Sequence, residues 1–262
     1  MENQVIQGDC LEVMKDIPDK SIDMVLTSPP YDNLRDYKGY TFNFEGIANQ
    51  IYRVLKDGGV CVWIVGDATI KGSETGTSFK QALYFKEIGF NLHDTMIYEK
   101  VGVMPSTNRY CQMFEYMFVV SKGVPKTTNL IKDRKNNWAN TNTGNIGQRQ
   151  KDGSVKRRGI KQIKEYGLRF NVWRIQNEGG FMNKDILTKL HPATFPEKLA
   201  EDHILSWSNE GDTILDPMAG SGTTLKMAKK NNRNYIGIEI SQEYIDIINK
   251  RLGAKLIREV VC

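Results

Sequence analysis

Asp216-Pro217-Met218-Ala219-Gly220-Ser221-Gly222-Thr223-Thr224 joins a short apolar strand, Thr213-Ile214-Leu215, to a helical stretch from Thr223 to Lys230. Glycines at a strand-to-helix junction let the backbone approach a ligand closely, and the helix start presents N–H groups that lack intrahelical partners. The string departs from two familiar nucleotide-binding turns. The third glycine of a G-x-G-x-x-G pattern falls at Leu225, and no G-x-x-x-x-G-K-[ST] occurs, which weakens dinucleotide and P-loop readings. Glu239 follows 23 residues after Asp216, at the end of the next apolar strand, where a carboxylate accepts hydrogen bonds from both hydroxyls of an unmodified ribose. An adenosine ligand with no phosphate demand fits this pair. A glycine-rich structural turn followed by a surface acid is the bland alternative, and the full nine-residue string weighs against it.

Working outward, short apolar strands alternate with helical stretches on both sides of a basic zone. Val5 to Gln7, Ile22 to Thr27, Val60 to Val65, Leu92 to Tyr98, Tyr116 to Val120 and Tyr235 to Ile240 read as strands. Phe44 to Leu55, stopping at Asp57-Gly58-Gly59, Phe79 to Ile88, Pro196 to Trp207 and Gln242 to Leu252 read as helices. The alternation predicts an α/β, doubly wound, mostly parallel sheet covered on both faces. At 262 residues, with 40% hydrophobic and 26% charged residues, the composition is that of one globular core with an insertion. No apolar run reaches the ~18 residues that span a bilayer, and Met1 to Asp9 lacks signal-peptide features, so a cytoplasmic protein away from membranes is expected. Cys10, Cys61, Cys111 and Cys262 stand far apart with only three histidines, a pattern that predicts reduced thiols and no metal site.

Charge divides the chain. Residues 122–180 hold fourteen Lys/Arg against four Asp/Glu, a balance of +10, whereas the formal net charge of the whole chain is +5. The expected organisation is therefore residues 1–121 as one half of a domain, 122–180 as a basic insert, and 181–262 as the other half of that domain. Within the insert, Arg134, Lys135, Arg149, Lys156, Arg157 and Arg158 are interleaved with Asn, Gln and Gly and with Trp138, Tyr166 and Trp173. That mixture suits a surface that neutralises phosphates while amides and arginines reach base edges. A solvated loop is the competing account of a charge run alone.

A second motif, Thr27-Ser28-Pro29-Pro30-Tyr31, ends the Ile22 strand. Two consecutive prolines cannot continue a central strand and hold the backbone extended. The Ser28 hydroxyl and Pro29 carbonyl are then placed to accept hydrogen bonds from an exocyclic NH2, with Tyr31 stacked on the ring. A strand-to-loop stop with a packed tyrosine is the plain alternative. Ligands of parallel sheets bind at the carboxyl ends of strands, where this motif lies.

Taken together, these strings resemble the amino-group DNA methyltransferases that use S-adenosylmethionine. Ser28, Pro29, Pro30 and Tyr31 match the family's catalytic motif. Asp216, Ala219, Gly220, Ser221, Gly222 and Thr223 match its cofactor motif, with Met218 where phenylalanine is common. His191, Thr194 and Phe195, in His191-Pro192-Ala193-Thr194-Phe195-Pro196, are similar to a further cofactor motif, and Asp9 and Cys10 to the element whose acid meets the adenine amino group. The order of catalytic motif, basic insert and cofactor motif is that of the beta class, and the resemblance spans Val5 to Leu252, with the insert loosely matched. It implies a permuted, class I methyltransferase-like fold, base flipping and an insert that recognises double-stranded DNA; a homodimer is compatible with the sequence, which leaves the oligomeric state open. By the same analogy Tyr98 and Lys100 line the base pocket, although strand packing accounts for Tyr98 equally well. Asn33 to Tyr40, polar with Arg35 and Lys38 and following directly on the second motif, reads as a loop that closes over DNA, with an inert surface loop as the plain alternative. None of the eight prolines precedes a cysteine, so the Pro-Cys nucleophile of cytosine C5 enzymes is missing. Serine before the prolines is more frequent in the family with cytosine N4 than with adenine N6. A non-catalytic DNA-binding protein is the rival from another class, and it has no need of an intact adenosine pocket.

Overall fold

The computed structural model describes residues 2–30, 42–101, 108–145, 147–157, 159–176 and 196–253. Among them is an eight-stranded sheet of β1 (Gln4–Gln7), β2 (Ile22–Thr27), β3 (Leu55–Val65), β4 (Asn91–Lys100), β5 (Phe114–Ser121), β6 (Val172–Ile175), β7 (Thr213–Asp216) and β8 (Asn234–Glu239). The spatial order is β1-β8-β7-β2-β3-β5-β4-β6. Every neighbouring pair is parallel except the two made by β5, which runs antiparallel to β3 and β4. Helices are α1 (Cys10–Lys15), α2 (Phe44–Val54), α3 (Thr77–Glu87), α4 (Glu197–Trp207), α5 (Thr223–Lys230) and α6 (Gln242–Arg251).

The sheet is covered on both faces because its central strands are apolar at consecutive positions, and a period of two sends alternate residues to opposite sides. Met24 and Leu26 of β2 join Val60, Val62 and Ile64 in a core with Leu199 and Ile204 of α4, Leu225 of α5 and Ile248 of α6. Val25, Cys61, Trp63 and Val65 face the other way, into a core with Met14 of α1, Ile47 and Ile51 of α2, and Phe85 of α3. The doubly wound, mostly parallel α/β expectation is met.

Two local expectations are corrected. Asp57-Gly58-Gly59 is not the end of α2: the helix stops at Val54, and Leu55–Val65 is one strand. A register shift lets the extra residues be absorbed, since Ile22 pairs with Leu55 but Met24 with Val60. Trp173 does not belong to a nucleic-acid-facing surface. It lies in β6, buried, with its ring stacked on His203 of α4 at 4.5 Å between centroids. Adding β6 parallel to β4 carries the residue into the core.

The chain splits into two compact units, Met1–Asn129 with Asn171–Cys262, and Leu130–Phe170. The smaller unit contains two antiparallel ladders, Arg134–Lys135 with Tyr166–Gly167 and Gly147–Arg149 with Val155–Arg157. None of its described residues is buried. Eleven Lys/Arg against three Asp/Glu give it a balance of +8. Among the described residues no group of His, Cys, Asp or Glu is arranged to hold a metal ion, and no helix is long and apolar enough to cross a membrane.

Gly237 in β8 determines how closely α5 approaches the sheet. A Cβ built there would lie 2.3 Å from Leu225 Cδ1, inside contact distance with a fully buried side chain. Gly237→Ala is expected to cost ~1–3 kcal/mol through overpacking. Urea denaturation checks this, and an unchanged midpoint at unchanged slope would show that α5 does not rest on this strand.

Candidate active site

Because β2 and β7 are parallel neighbours, with Met24 opposite Ile214 and Val25 opposite Leu215, their carboxyl ends meet although they are far apart in the chain. Thr27 Oγ1 donates to Asp216 Oδ1 at 2.8 Å across a separation of 189 residues. A second hydroxyl ties the same ends together: Thr224 Oγ1, at the start of α5, donates to the Leu26 carbonyl at 3.2 Å. The Met218 N–H also donates to Asp216 Oδ1, at 3.2 Å. Burial pushes the Asp216 carboxyl up to about 6, and the hydrogen bonds from Thr27, Thr224 and the Met218 N–H limit that rise. Directly after Thr27 come half-buried Ser28, buried Pro29 and half-buried Pro30. The Ser28-Pro29-Pro30 string and the glycine-rich string therefore share one rim of the sheet.

The turn after β7 is held against β8. Gly220 and Gly222 take left-handed φ of 51° and 77°, and Gly222 starts α5 without a side-chain cap. Glu239, nearly buried at the end of β8, accepts from the Gly220 N–H through Oε2 and from the Ser241 N–H through Oε1, both at 2.9 Å. Burial raises its pKa, and the backbone N–H groups oppose that rise. Two carboxylate oxygens offer about four acceptor sites between them, so these backbone donors, with the Ile240 N–H beside them, leave acceptor capacity on the group. Ala219 is buried and donates its N–H to the Ile238 carbonyl at 2.9 Å, while Ser221 and Thr223 are also buried.

On the far side of β8, Gln7 of β1 pairs with Glu239, and the Gly8 N–H donates to the Glu239 carbonyl at 3.0 Å. This brings Asp9 and Cys10 to the same rim. Asp9 caps α1 by accepting from the Leu11 N–H at 2.7 Å, and Cys10 is buried. Asp9, Glu239 and Asp216 thus stand at the ends of three adjacent strands, with Ser28 beyond the fourth.

Sequence reasoning missed the support behind the turn. Arg251 of α6 has a fully buried side chain whose Nη1 donates to the Ser221 carbonyl at 2.5 Å, to Ser221 Oγ at 3.1 Å and to Thr223 Oγ1 at 3.3 Å. Its Nη2 pairs with Glu197 at 2.7 Å, and Lys226 of α5 reaches the same Glu197 oxygen, also at 2.7 Å. The available signal was Arg251 three residues after Ile248, on the apolar face of an otherwise ordinary amphipathic helix. Thr27 heads the second motif in the sequence, but nothing local assigns it the bond to Asp216.

Tyr31, Arg35, Lys38, Arg158, His191, Thr194 and Phe195 lie outside the described residues. Tyr98 is buried in the sheet, with its hydroxyl pKa pushed up by burial and then by Glu115. Lys100 pairs with Glu115 at 2.5 Å. In the smaller unit Arg134 is engaged internally, with Nε donating to the Leu168 carbonyl at 2.9 Å and its guanidinium 4.6 Å from the Phe170 ring centroid. Lys135, Arg149, Lys156 and Arg157 are exposed.

Residues 22–250 match the family model described as DNA methylase, of the N6/N4 methyltransferase type. The chain belongs to this family. It is similar to the orphan methyltransferase M.BamHII of Bacillus amyloliquefaciens, with 61% identity over 246 residues and 93% of each chain covered. It is also similar to the type II methyltransferase M.HinfI of Haemophilus influenzae, at 28% identity over 95% of this chain and 68% of that one. Among solved structures, the PvuII DNA methyltransferase (cytosine-N4-specific) superposes with a TM-score of 0.66 at 21% identity, covering 97% of this chain and 94% of that one. The M1.HpyAVI–SAM complex superposes with a TM-score of 0.64, also at 21% identity, over 95% and 98%. These likenesses agree with the α/β fold described above, and the DNA methylase is an enzyme of the methyltransferase class.

Asp216 gives this DNA methylase a pH signature. Its folded-state pKa lies above the ordinary carboxyl value, so the folded chain holds the proton more tightly than the unfolded chain, and the group favours folding increasingly as pH falls. Between pH 7 and pH 5 the gain is about 1 kcal/mol. Urea titrations at the two pH values are expected to show this gain relative to Asp216→Asn. Parallel pH dependence in the two proteins would place the Asp216 pKa at its unfolded value.

Proposed function

We propose that this DNA methylase transfers a methyl group from S-adenosylmethionine to the exocyclic amine of a base flipped out of double-stranded DNA, with cytosine N4 as the acceptor. The observation that supports it is the Thr27–Asp216 hydrogen bond, which sets Ser28 and Pro29 beside the glycine-rich turn on one rim. S-adenosylmethionine supplies a methyl carbon on a sulfonium, which leaves as a neutral thioether.

The residues present fit such a molecule. Glu239 holds acceptor capacity for two ribose hydroxyls, the glycines admit close approach of the backbone, and the start of α5 lacks a side-chain cap. Asp9, Cys10, Asp216, Ala219, Gly220, Ser221, Gly222, Thr223 and Glu239 would hold it, together with His191, Thr194 and Phe195 of the preceding motif. The Ser28 hydroxyl and Pro29 carbonyl accept the amine hydrogens and draw the nitrogen toward a tetrahedral, more nucleophilic geometry, and Tyr31 stacks on the ring. The nitrogen gains the methyl group and releases one proton to solvent water. No residue of the chain forms a bond to the base.

Extrusion of the base costs a few kcal/mol of stacking and pairing. Arg35, Lys38 and exposed lysines of the insert such as Lys151 offset that cost through phosphate contacts. Serine before the prolines is more frequent in the resembled family with cytosine N4, whereas enzymes acting on adenine more often carry aspartate or asparagine there, and that frequency favours cytosine N4. The reading places the enzyme in the cytoplasm.

Nucleoside mass spectrometry after reaction of duplex DNA with labelled S-adenosylmethionine is expected to show labelled N4-methylcytosine nucleoside. A labelled N6-methyladenine nucleoside alone overturns the base assignment, and no label in any nucleoside favours the non-catalytic DNA-binding alternative. Glu239→Ala removes the ribose acceptor and is expected to weaken S-adenosylmethionine binding by ~1.5–3 kcal/mol in calorimetry. Unchanged affinity would remove Glu239 from the pocket.

A further inference from the structure

The smaller unit contains a hairpin whose construction differs from the rest of the chain. Gly147–Arg149 pairs antiparallel with Val155–Arg157, with Arg149 opposite Val155, Gln148 opposite Lys156 and Gly147 opposite Arg157. Every residue from 147 to 157 is exposed, so neither face of this two-stranded ribbon is packed. Its tip is nonetheless well specified. The Gly153 N–H donates to the Gln150 carbonyl at 3.1 Å, and the Gln150 N–H donates to the Ser154 carbonyl at 2.7 Å. Asp152 Oδ1 accepts from the Ser154 N–H at 2.9 Å and from its hydroxyl at 2.7 Å, and Gly153 takes the left-handed φ of 83° that the turn requires.

Local bonds thus hold the ribbon without a core, and hairpins so exposed gain little from burial. What it presents is chemically selective. Opposed residues share a face, so Arg149, Val155 and Arg157 lie on one side and Gln148 and Lys156 on the other. Val155 is 59% exposed, and it leans over Gly147, where a Cβ would meet Val155 Cγ1 at 2.5 Å. Arg149, Lys151, Lys156 and Arg157 make no ion pair among the described residues, in contrast to Arg169 of the same unit, which pairs with Asp133.

We infer that this hairpin is a β-ribbon that enters the major groove of the substrate duplex and reads base edges there. The inference rests on the DNA methyltransferase reading above. Arginine forks match the O6 and N7 acceptors of guanine, glutamine amides match adenine, and an exposed apolar methyl matches the thymine methyl. The major groove, about 12 Å wide, admits a two-stranded ribbon, whereas the minor groove, about 6 Å wide, does not admit one with long side chains on both faces. Arg149 and Arg157 read purines from one face, and Gln148 reads from the other. Lys151, at the tip, contacts phosphate.

The test uses the full chain and a pool of duplexes enriched for binding to it, prepared with ordinary purines or with 7-deazapurines, which lose only the major-groove N7 acceptor. The unsubstituted enzyme is expected to bind the 7-deaza duplexes about tenfold or more weakly, the discrimination typical of one bidentate base contact. Arg149→Lys with Arg157→Lys keeps the charge but loses the forks, and this variant is expected to lose most of that discrimination, the remainder being the Gln148 contact with adenine. Lys151→Ala is expected to keep the discrimination and to reduce the slope of log affinity against log salt by about 1. A wild type indifferent to 7-deaza substitution, or a lysine variant that discriminates as the wild type does, overturns the ribbon assignment. Both are binding readouts, so they stand apart from the methyl-transfer outcome that tests the enzyme reading.

Discussion

The hydrogen bond from Thr27 to Asp216 is the constraint on which the rest of the rim depends. It joins the end of a strand near the start of the chain to the end of one near its finish, and it can form only because β2 and β7 are parallel neighbours in the same register. Everything on either side follows from that adjacency. Ser28 and the two prolines continue from one partner, and the glycine-rich turn continues from the other. The arrangement costs desolvation of a carboxylate, visible in the raised pKa of Asp216, and three donors partly offset it. A buried acid held in this way specifies one pairing of strands over others, because slipping the register by one residue would part it from Thr27, its donor on the neighbouring strand.

The same economy of charge recurs one strand further. Glu239 is nearly buried, and backbone N–H groups, which carry no formal charge, hold it in place on both oxygens. Behind the turn, Arg251 is buried with Glu197 as its charged partner and with hydroxyl and carbonyl groups on its other nitrogen. Pairing a buried guanidinium with a carboxylate and further acceptors avoids the large penalty of an unpaired charge. The result is a turn gripped from the front by a carboxylate and from behind by an arginine, and its backbone is positioned before any ligand arrives.

The smaller unit follows another logic. With no buried residue among those described and a balance of +8, its stability comes from local ladders and turns, not from a core. Some of its basic residues maintain it: Arg134 bonds a carbonyl and lies on Phe170, and Arg169 pairs with Asp133. Others face solvent. Charge composition alone does not separate these two groups, because the separation depends on which partner each side chain meets.

By itself, the sequence determined the fold class and the two chemical strings. Alternating apolar strands and helical spacing are local, periodic properties, and Ser28-Pro29-Pro30 and Asp216 to Thr223 announce strand ends through residues that cannot continue a strand. Glu239 was legible too, since a carboxylate at the end of the strand following such a turn has a defined place. The sequence did not determine that Thr27 bonds Asp216, that Arg251 supports the turn, or that Trp173 is core. Those facts depend on which strands become neighbours, and β6 beside β4 and β7 beside β2 are pairings between segments 70 to 190 residues apart, set by side-chain packing across the whole sheet. Trp173 sits in a basic stretch whose composition suggests a surface. Only the tertiary structure gives it a buried site, because the apolar area removed from water by stacking on α4 outweighs the polarity of its chain neighbours.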